Sequence, residues 1–314
     1  MVDAVQQYVT DTVSAEGVPS VTSNDTSNVA AAAALAQTKD AVILILGTDL
    51  HVAKEGHDAV SIALSDGQQT LVDQVAAAAV HPITVVILSG VPIDISKILS
   101  NNKVGAVVHA GQPSVQTLGI GDILFGHRVP AGRMVQTFLP SSFADQVSIL
   151  DMNMRPGASE FARPDCPAPY NNCPKGMNPG RTYRFFTGKP VVAFGWGREC
   201  NDHLLTAVYS QSVSFTDIVM WWSVSYTTFK YSAAASPPPR TLSLGPLRRL
   251  LETKQDSNGM LKAEDIARAG LATEGKVTVT NTGKLDADDV VLGFLTPPGA
   301  GQNGVPLQTL YGFE

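Results

Sequence analysis

The N-terminal half of the chain alternates between two patterns of hydrophobic and polar positions. Three short apolar runs rich in β-branched residues are typical of buried strands and occupy residues 41–46, 83–88 and 104–109. Stretches with helical spacing lie around them, at residues 27–40, 65–80 and 115–126. Apolar strands separated by helices are typical of a parallel sheet that helices cover on both faces. The pattern therefore predicts an α/β fold for this half.

The second half follows a different pattern. Residues 128–197 are rich in proline, glycine and aromatic residues, which predicts irregular structure that packs across the domain. The alternating stretch 276–295, with its Asn-Thr-Gly turn, predicts a β-hairpin of a sandwich, but the chain stops too early for a whole sandwich. We predict an α/β domain, a linker with a helix and an incomplete β-sandwich, at residues 1–232, 233–270 and 271–314.

The loop after the first predicted strand concentrates charge. Residues 51–58 read HVAKEGHD, although only 16% of the chain is Asp, Glu, Lys or Arg. In open α/β sheets, ligands bind at the loops that follow the carboxyl ends of the strands. The loop is therefore either an ordinary solvated turn or a candidate site that includes Glu55, His57 and Asp58. The residue types alone favour the solvated turn, because charges on loops are usually exposed.

Composition and charge narrow the function classes. The length of 314 residues predicts two domains, and the net charge is −6 without a long Lys/Arg block. We therefore expect no nucleic-acid partner and no membrane partner. The N-terminus, MVDAVQQYVTDTVSAEG, predicts no signal peptide in this chain, and no apolar run approaches the roughly 20 residues of a membrane span.

Cysteine, histidine and glycine patterns bear on the compartment and on cofactors. Cys166 and Cys173 bracket the loop CPAPYNNC and predict either a disulfide, which implies an oxidising compartment, or two separate thiols. Asn24 begins a glycosylation sequon that is usable only in a secreted chain. The six histidines show no metal-ligand spacing, and no dinucleotide or Walker-type glycine motif occurs. We therefore predict no metal site and no cofactor.

Eight segments in order along the chain resemble glycoside hydrolase family 3, especially its β-xylosidase-like and β-glucosidase-like branch. They are AVILILGTD, KEGHDAVSIALSDGQQTLV, GAVVHAGQP, GDILFGHRVPAGRM, DMNMRP, NPGRTYRFFTGKPVVAFGWG, SVSYTTFKYS and VTVTNTGK with the terminal LQTLYGFE. The resemblance implies the family's C-terminal α/β sandwich domain and part of a fibronectin type III-like domain. It also implies an extracellular protein of carbohydrate metabolism, such as xylan breakdown.

The resemblance implies part of a retaining, exo-acting β-glycosidase that hydrolyses plant-type oligosaccharides. Glu55 matches the family's general acid/base, and Asp58 matches an Asp that supports it. A retaining mechanism also needs a carboxylate nucleophile roughly 5 Å away. The family's N-terminal barrel supplies that nucleophile and would be a missing partner domain here, so we expect this chain to be inactive alone. Arg181 and Tyr183 are either weak sugar-binding candidates or anchors of their own segment.

Several positions depart from the family pattern. Ala59 stands where the family has Arg, Ser114 where it has Gly, and Val135 where it has Pro. These departures keep a second interpretation open, in which the chain is a non-catalytic carbohydrate-binding remnant or a truncated gene product. Residues 198–223 split a family motif and are interpreted as an insert, which is either a translated intron or a surface insertion.

Overall fold

The computed structural model describes most of the chain, namely residues 1–113, 117–166, 172–197, 226–233 and 277–314, with Gly245, Arg248, Arg249 and Glu252 between the last two ranges. These residues form two units. The first contains the described residues up to Thr227 together with Leu285–Glu314, and the second contains those from Thr228 to Lys284. The predicted insert 198–223, most of the predicted linker and Ser114 lie outside the described residues.

A three-stranded parallel sheet forms the centre of the first unit, in the order β1 (Ile43–Gly47), β2 (Ile83–Leu88) and β3 (Val104–His109). Strands β2 and β3 have the bounds that the apolar runs predict. The middle strand is covered on both faces, since neighbouring Val85 and Val86 are both fully buried. Side chains alternate between the faces of a strand, so this burial explains why the run is continuously apolar. The predicted α/β fold is confirmed.

Two helices pack together against the core of this sheet. They are α2 (Val29–Ala36) and α3 (Asp66–Ala78). Helix α3 begins where Ser65 accepts a hydrogen bond from the Gln68 backbone N–H, so its start was readable from the sequence. Its Leu71, Val72 and Val75 are buried, as the helical spacing predicts.

Shorter helices complete the parallel part of the first unit. They are α1 (Val2–Gln6), α4 (Ser96–Ser100) and α5 (Gly119–Leu124). Helices α1 and α5 approach closely, because a Cβ on Gly121 would lie 2.3 Å from the carbonyl oxygen of Ala4. Tyr8, just after α1, stacks on Phe125 with ring centroids 4.9 Å apart. Of the helix predicted at residues 115–126, Gly119–Leu124 is observed, and residues 115 and 116 lie outside the described residues.

The irregular middle segment returns to the same core. Its elements are α6 (Ser142–Gln146), β4 (Gly157–Ala162), β5 (Lys175–Asn178) and α7 (Thr182–Phe185). Strands β4 and β5 pair antiparallel, and Cys166 and Cys173 form a disulfide across the loop between them. Phe138, which is 1% exposed, lies in the main core with Val192, and the two residues exchange backbone hydrogen bonds.

The C-terminal strands pair differently from the predicted hairpin. In the second unit, β6 (Phe229–Ala233) pairs antiparallel with β7 (Val277–Asn281), whereas in the first unit β8 (Leu292–Leu295) pairs with β9 (Thr309–Phe313). The predicted hairpin of residues 276–295 is therefore wrong. In β-sandwiches, strands that are neighbours in sequence can belong to different sheets, which the alternation of one stretch does not reveal. The predicted domain boundaries stay a prediction.

Candidate active site

The carboxyl edge of the parallel sheet gathers polar groups from several segments. The Thr48 and Ser89 hydroxyls follow β1 and β2 and lie 2.7 Å apart. Gly47 ends β1 with a φ of 152°, and a Cβ there would lie 1.8 Å from the carbonyl oxygen of Leu88. Only glycine permits this close approach of the two strand ends. The edge therefore holds the loops after β1 and β2 close together.

Glu55 lies at the tip of a tight turn in the loop after β1. The backbones of Lys54 and His57 exchange two hydrogen bonds of 2.9 Å each, which leaves Glu55 and Gly56 as the two central residues. Gly56 has a φ of 73°, and this conformation at the second central position favours glycine. Glu55 is exposed, and its carboxylate forms no hydrogen bond or ion pair with the part of the chain that the structure describes.

The loop that carries this turn is tied to the next loop. The backbone N–H of Asp94 donates to the carbonyl of Ile62 at 2.6 Å. The Asp94 carboxylate in turn accepts from the backbone N–H groups of Ser96 at 2.9 Å and Ser141 at 2.7 Å. Burial opposes ionisation of Asp94, but the hydrogen bonds from Ser96 and Ser141 outweigh it and lower its pKa. Asp94 thus joins three segments at this edge, including the loop with Glu55.

A second carboxylate in the same loop is paired with a histidine. Asp49 accepts a hydrogen bond from the backbone N–H of His51 at 2.8 Å, and both of its oxygens lie 3.1 Å from Nδ1 of His51. The backbone hydrogen bond from His51, with help from its ring, lowers the pKa of Asp49. Asp58, which the sequence assigns as a supporting acid, is exposed in this loop, and Ala59 follows it.

His109 ends β3 at the same edge. Its ring meets Phe138 edge-on with centroids 5.1 Å apart, and burial lowers the pKa of its imidazole. Nε2 of His109 is buried and lacks a hydrogen-bond partner within the described residues. The neutral ring is therefore favoured, and His109 packs against Phe138 at this edge as an uncharged side chain.

Arg181 is anchored to its own segment. Its guanidinium donates to the carbonyl of Asp151 at 2.7 Å and to that of Ser148 at 3.3 Å, and it lies over the ring of Phe143 at 5.6 Å. These contacts occupy the donors at one end of the guanidinium, so the structure favours the anchoring interpretation of Arg181 over sugar binding.

Tyr183 is also engaged by the protein. Its hydroxyl accepts a hydrogen bond from the backbone N–H of Leu310 at 3.1 Å. Its ring stacks on Phe194 with centroids 4.2 Å apart and meets Phe294 edge-on at 5.9 Å. Tyr183 therefore joins the middle segment to the C-terminal strands, again as an anchor.

The remaining sequence candidates are located as follows. Asn24 is exposed, and Cys166 is bonded to Cys173. Within the described ranges no group of three or more His, Cys, Asp or Glu side chains is arranged to hold a metal ion. No helix among the described residues is long and apolar enough to cross a membrane.

Sequence reasoning missed Asp49, His51 and Asp94. The Asp49 carboxylate accepts a hydrogen bond from the backbone N–H of His51, and the Asp94 carboxylate accepts one from the backbone N–H of Ser96, in each case two residues further on. An Asp that bonds in this way is a common turn feature, so the local turns were predictable from residue type. The tie from Asp94 to Ser141 joins residues 47 positions apart, which only the tertiary structure reveals.

The sheet and its edge define an open α/β domain, a class that binds ligands at the carboxyl ends of its strands. A family model described as "Glycosyl hydrolase family 3 C-terminal domain" matches residues 1–189. The chain therefore belongs to glycoside hydrolase family 3.

Relatives with assigned activities support the same family. The chain is 31% identical over 292 residues to Beta-D-xylosidase 3 of Arabidopsis thaliana. The match covers 92% of this chain and 32% of the relative. It is also similar to a solved GH3 exo-beta-xylosidase, XlnD, in complex with a xylobiose aziridine probe. That match has a TM-score of 0.62 and 24% identity, and it covers 96% of this chain and 32% of the other.

A β-glucosidase structure shares the fold at lower identity. The enzyme from Listeria innocua in complex with isofagomine matches with a TM-score of 0.60 and 18% identity, over 100% of this chain and 34% of the other. At these identities, both solved structures show the fold alone. The chain spans about a third of the length of the relatives that it matches.

Proposed function

We propose that this chain supplies the proton donor for hydrolysis of β-linked xylosides or glucosides, with Glu55 as the general acid/base. The observation that carries the proposal is the position of Glu55, at the tip of a turn in the loop after β1, in a member of glycoside hydrolase family 3. The relatives that this chain resembles are named as xylosidases and glucosidases. A sugar ring placed over the turn would meet a carboxyl group that no other described group holds.

The chemistry requires two further conditions. The acid must be protonated at the working pH, which needs burial or a neighbouring anion to raise its pKa. The second carboxylate, the nucleophile, must lie roughly 5 Å from the acid. We propose that a separate catalytic domain meets both conditions by covering the exposed turn. The chain by itself would then bind part of the sugar without cleaving it.

A domain exchange tests this proposal. The whole chain would replace the part of Arabidopsis Beta-D-xylosidase 3 that it matches, and turnover of xylobiose would be measured with and without Glu55→Gln. We expect the exchange protein to be active and Glu55→Gln to lower kcat by about 10²- to 10⁴-fold, because protonation of the leaving oxygen is lost.

The choice of substrate distinguishes an acid/base from a structural role. A dinitrophenyl xyloside needs little protonation of its leaving group, so Glu55→Gln should slow the first step far less with it than with xylobiose. Glu16→Gln, a change at another exposed glutamate, is the matched control and should leave both rates unchanged. An equal loss of kcat/KM on both substrates would contradict the assignment of Glu55 as the acid/base.

A second candidate function is carbohydrate binding without catalysis. Ala59 favours it, because the family's Arg next to the supporting Asp could pair with carboxylates or orient the loop. Calorimetry with xylo-oligosaccharides and the unmodified chain tests this candidate. Saturable binding together with an inactive exchange protein would support the binding function over the catalytic one.

We also propose that the protein works in an oxidising, extracellular compartment. The disulfide between Cys166 and Cys173 and the exposed sequon at Asn24 support this proposal. Protein isolated from its native source should lose mass on enzymatic deglycosylation, and Asn24→Gln should abolish that loss. A native protein with free thiols at Cys166 and Cys173 would contradict the proposal.

A further inference from the structure

The loop that carries Glu55 projects from the domain between two stems. Within the part of the chain that the structure describes, residues 50–61 form hydrogen bonds only among themselves and with Asp49 and Ala63. Most of these residues are exposed. The position of Glu55 therefore depends on where the two stems of the loop join the domain.

The stem on the N-terminal side continues the sheet. Thr48 N–H donates to the carbonyl of Leu88 at 3.0 Å, and the Thr48 hydroxyl lies 2.7 Å from that of Ser89. These contacts directly extend the parallel pairing of β1 with β2. This stem is therefore fixed as soon as the sheet forms.

The stem on the C-terminal side is held by Asp94. The backbone N–H of Asp94 donates to the carbonyl of Ile62 at 2.6 Å, and Asp94 forms a parallel bridge with Ala63. Along the chain from Glu55 towards α3, this is the first hydrogen bond to another segment among the described residues. Leu64, which lies further from the turn, packs against the main core. The bond to Ile62 thus sets where the loop leaves the domain.

The carboxylate of Asp94 fixes the orientation of this bond. The neighbours Ile93 and Ile95 are buried and hold the segment in the core. One carboxylate oxygen accepts from Ser96 N–H at 2.9 Å, which fixes the local turn, and the other accepts from Ser141 N–H at 2.7 Å. Loss of the carboxylate would remove the acceptor of both N–H groups and release the turn of the chain at Asp94.

We propose that Asp94 is a positioning residue for Glu55, because its carboxylate holds the peptide group that ties down the C-terminal stem of the loop. The inference rests on the proposed role of Glu55 as the general acid/base. A proton donor must lie within hydrogen-bond reach of the leaving oxygen, and a displacement of about 1 Å can cost about 100-fold in rate. Asp94 acts through Glu55 and does not itself touch the sugar.

Hydrogen exchange of the full chain tests the tie without any need for activity. In Asp94→Ala, we expect the amide of residue 94 to exchange about 10-fold faster or more, relative to its intrinsic rate, because its bond to Ile62 is loosened. The Lys54 and His57 amides, which are bonded within the turn, should keep their rates. Faster exchange at residue 94 alone would show that the stem is released while the turn stays formed.

Two further variants control this measurement. Asp94→Asn keeps one acceptor oxygen, so it should restore part of the protection, and it carries the test if Asp94→Ala fails to fold. Asp40→Ala removes an exposed carboxylate before the amino end of β1 and should change none of these rates.

Kinetics of the domain-exchange protein test the action through Glu55. Asp94→Ala should lower kcat/KM for xylobiose by about 10-fold and for the dinitrophenyl xyloside far less, since only the first needs the proton of Glu55. In the presence of Glu55→Gln, Asp94→Ala should cause little further loss, because two residues that act as a unit are not additive. Asp40→Ala should leave both rates unchanged.

Two results would overturn this inference alone. The first is unchanged hydrogen exchange at residue 94 in Asp94→Ala, since the carboxylate would then not hold the tie. The second is an equal loss on both substrates, or a full additional loss in the presence of Glu55→Gln, since Asp94 would then act on the fold in general. Failure of the proposed function is distinguishable, because Glu55→Gln itself would then leave xylobiose hydrolysis unchanged. That result would overturn the catalytic role of Glu55 and, with it, the positioning role of Asp94.

Discussion

Two irregular regions of this protein use their polar groups in opposite ways. In the loop after β1, Glu55 and Asp58 are exposed, and the turn is held by backbone bonds and its glycine. In the segment 148–187, polar side chains such as Arg181 and Asp151 bond to the segment's own backbone. The first region leaves carboxylates available to a ligand or a covering domain. In the second region, hydrogen bonds from the polar groups hold an irregular chain in place.

This difference gives a criterion for separating binding residues from anchors. Both regions contain charged side chains in motifs that resemble the same family, so motif membership alone does not distinguish them. The hydrogen bonds of each side chain do distinguish the two regions. A polar group that already has protein partners would have to lose them in order to bind a sugar. By this criterion, Glu55 remains a site candidate, whereas the contacts of Arg181 and Tyr183 favour the anchoring interpretation over sugar binding.

The largest effect should come from removing the anchor at Arg181. Arg181→Ala deletes two hydrogen bonds to backbone carbonyls and the contact with Phe143, so we expect the free energy of unfolding to fall by about 2–3 kcal/mol. Lys54→Ala, which removes an exposed cation from the loop after β1, should change it by less than about 0.5 kcal/mol. Urea denaturation measures both. Similar values for the two variants would remove the contrast between the regions.

Acid titration should sharpen the comparison at Asp151. The backbone N–H of Asn153 is the main cause of a lowered pKa at this buried carboxyl group, and Ser159 and Asn178 also contribute. A carboxyl group with a lowered folded pKa stabilises the protein above its unfolded value of about 3.9, and this stability is lost as the pH falls through the folded value.

The stability difference between the unmodified protein and Asp151→Asn should therefore be larger at pH 6 than at pH 2.5. Denaturant unfolding at a series of pH values measures it. A difference that stays constant across this range would show that the charge of Asp151 is not what its hydrogen bonds stabilise.

The smallest effect concerns the turn that presents Glu55. Gly56→Ala places a side chain at a φ of 73°, and we expect it to lower the free energy of unfolding by about 1 kcal/mol. Gly157→Ala is the matched control, because its φ is not positive and a Cβ there would meet nothing within 4 Å. Thermal unfolding of both variants measures the difference. Equal melting temperatures would show that the turn geometry around Glu55 is not fixed by Gly56.

The predictability of this protein follows the range of its interactions. The bounds of β2 and β3 and the start of α3 at Ser65 could be predicted, since continuous apolar runs and an N-terminal cap are local patterns in the sequence. The pairing of Val277–Asn281 with Phe229–Ala233 could not be predicted, because alternation in a strand does not specify its partner.

The candidate site divides in the same way. The sequence by itself determined that a charged turn with Glu55 follows an apolar strand, because residue type and spacing decide turns locally. Only the tertiary structure decided that Asp94 ties this loop to Ser141, that Arg181 and Tyr183 contact distant parts of the chain, and that Gln68 bridges the backbones of Gly47 and Val21. These contacts join residues that are far apart in the chain, and their geometry exists only once the sheet has formed.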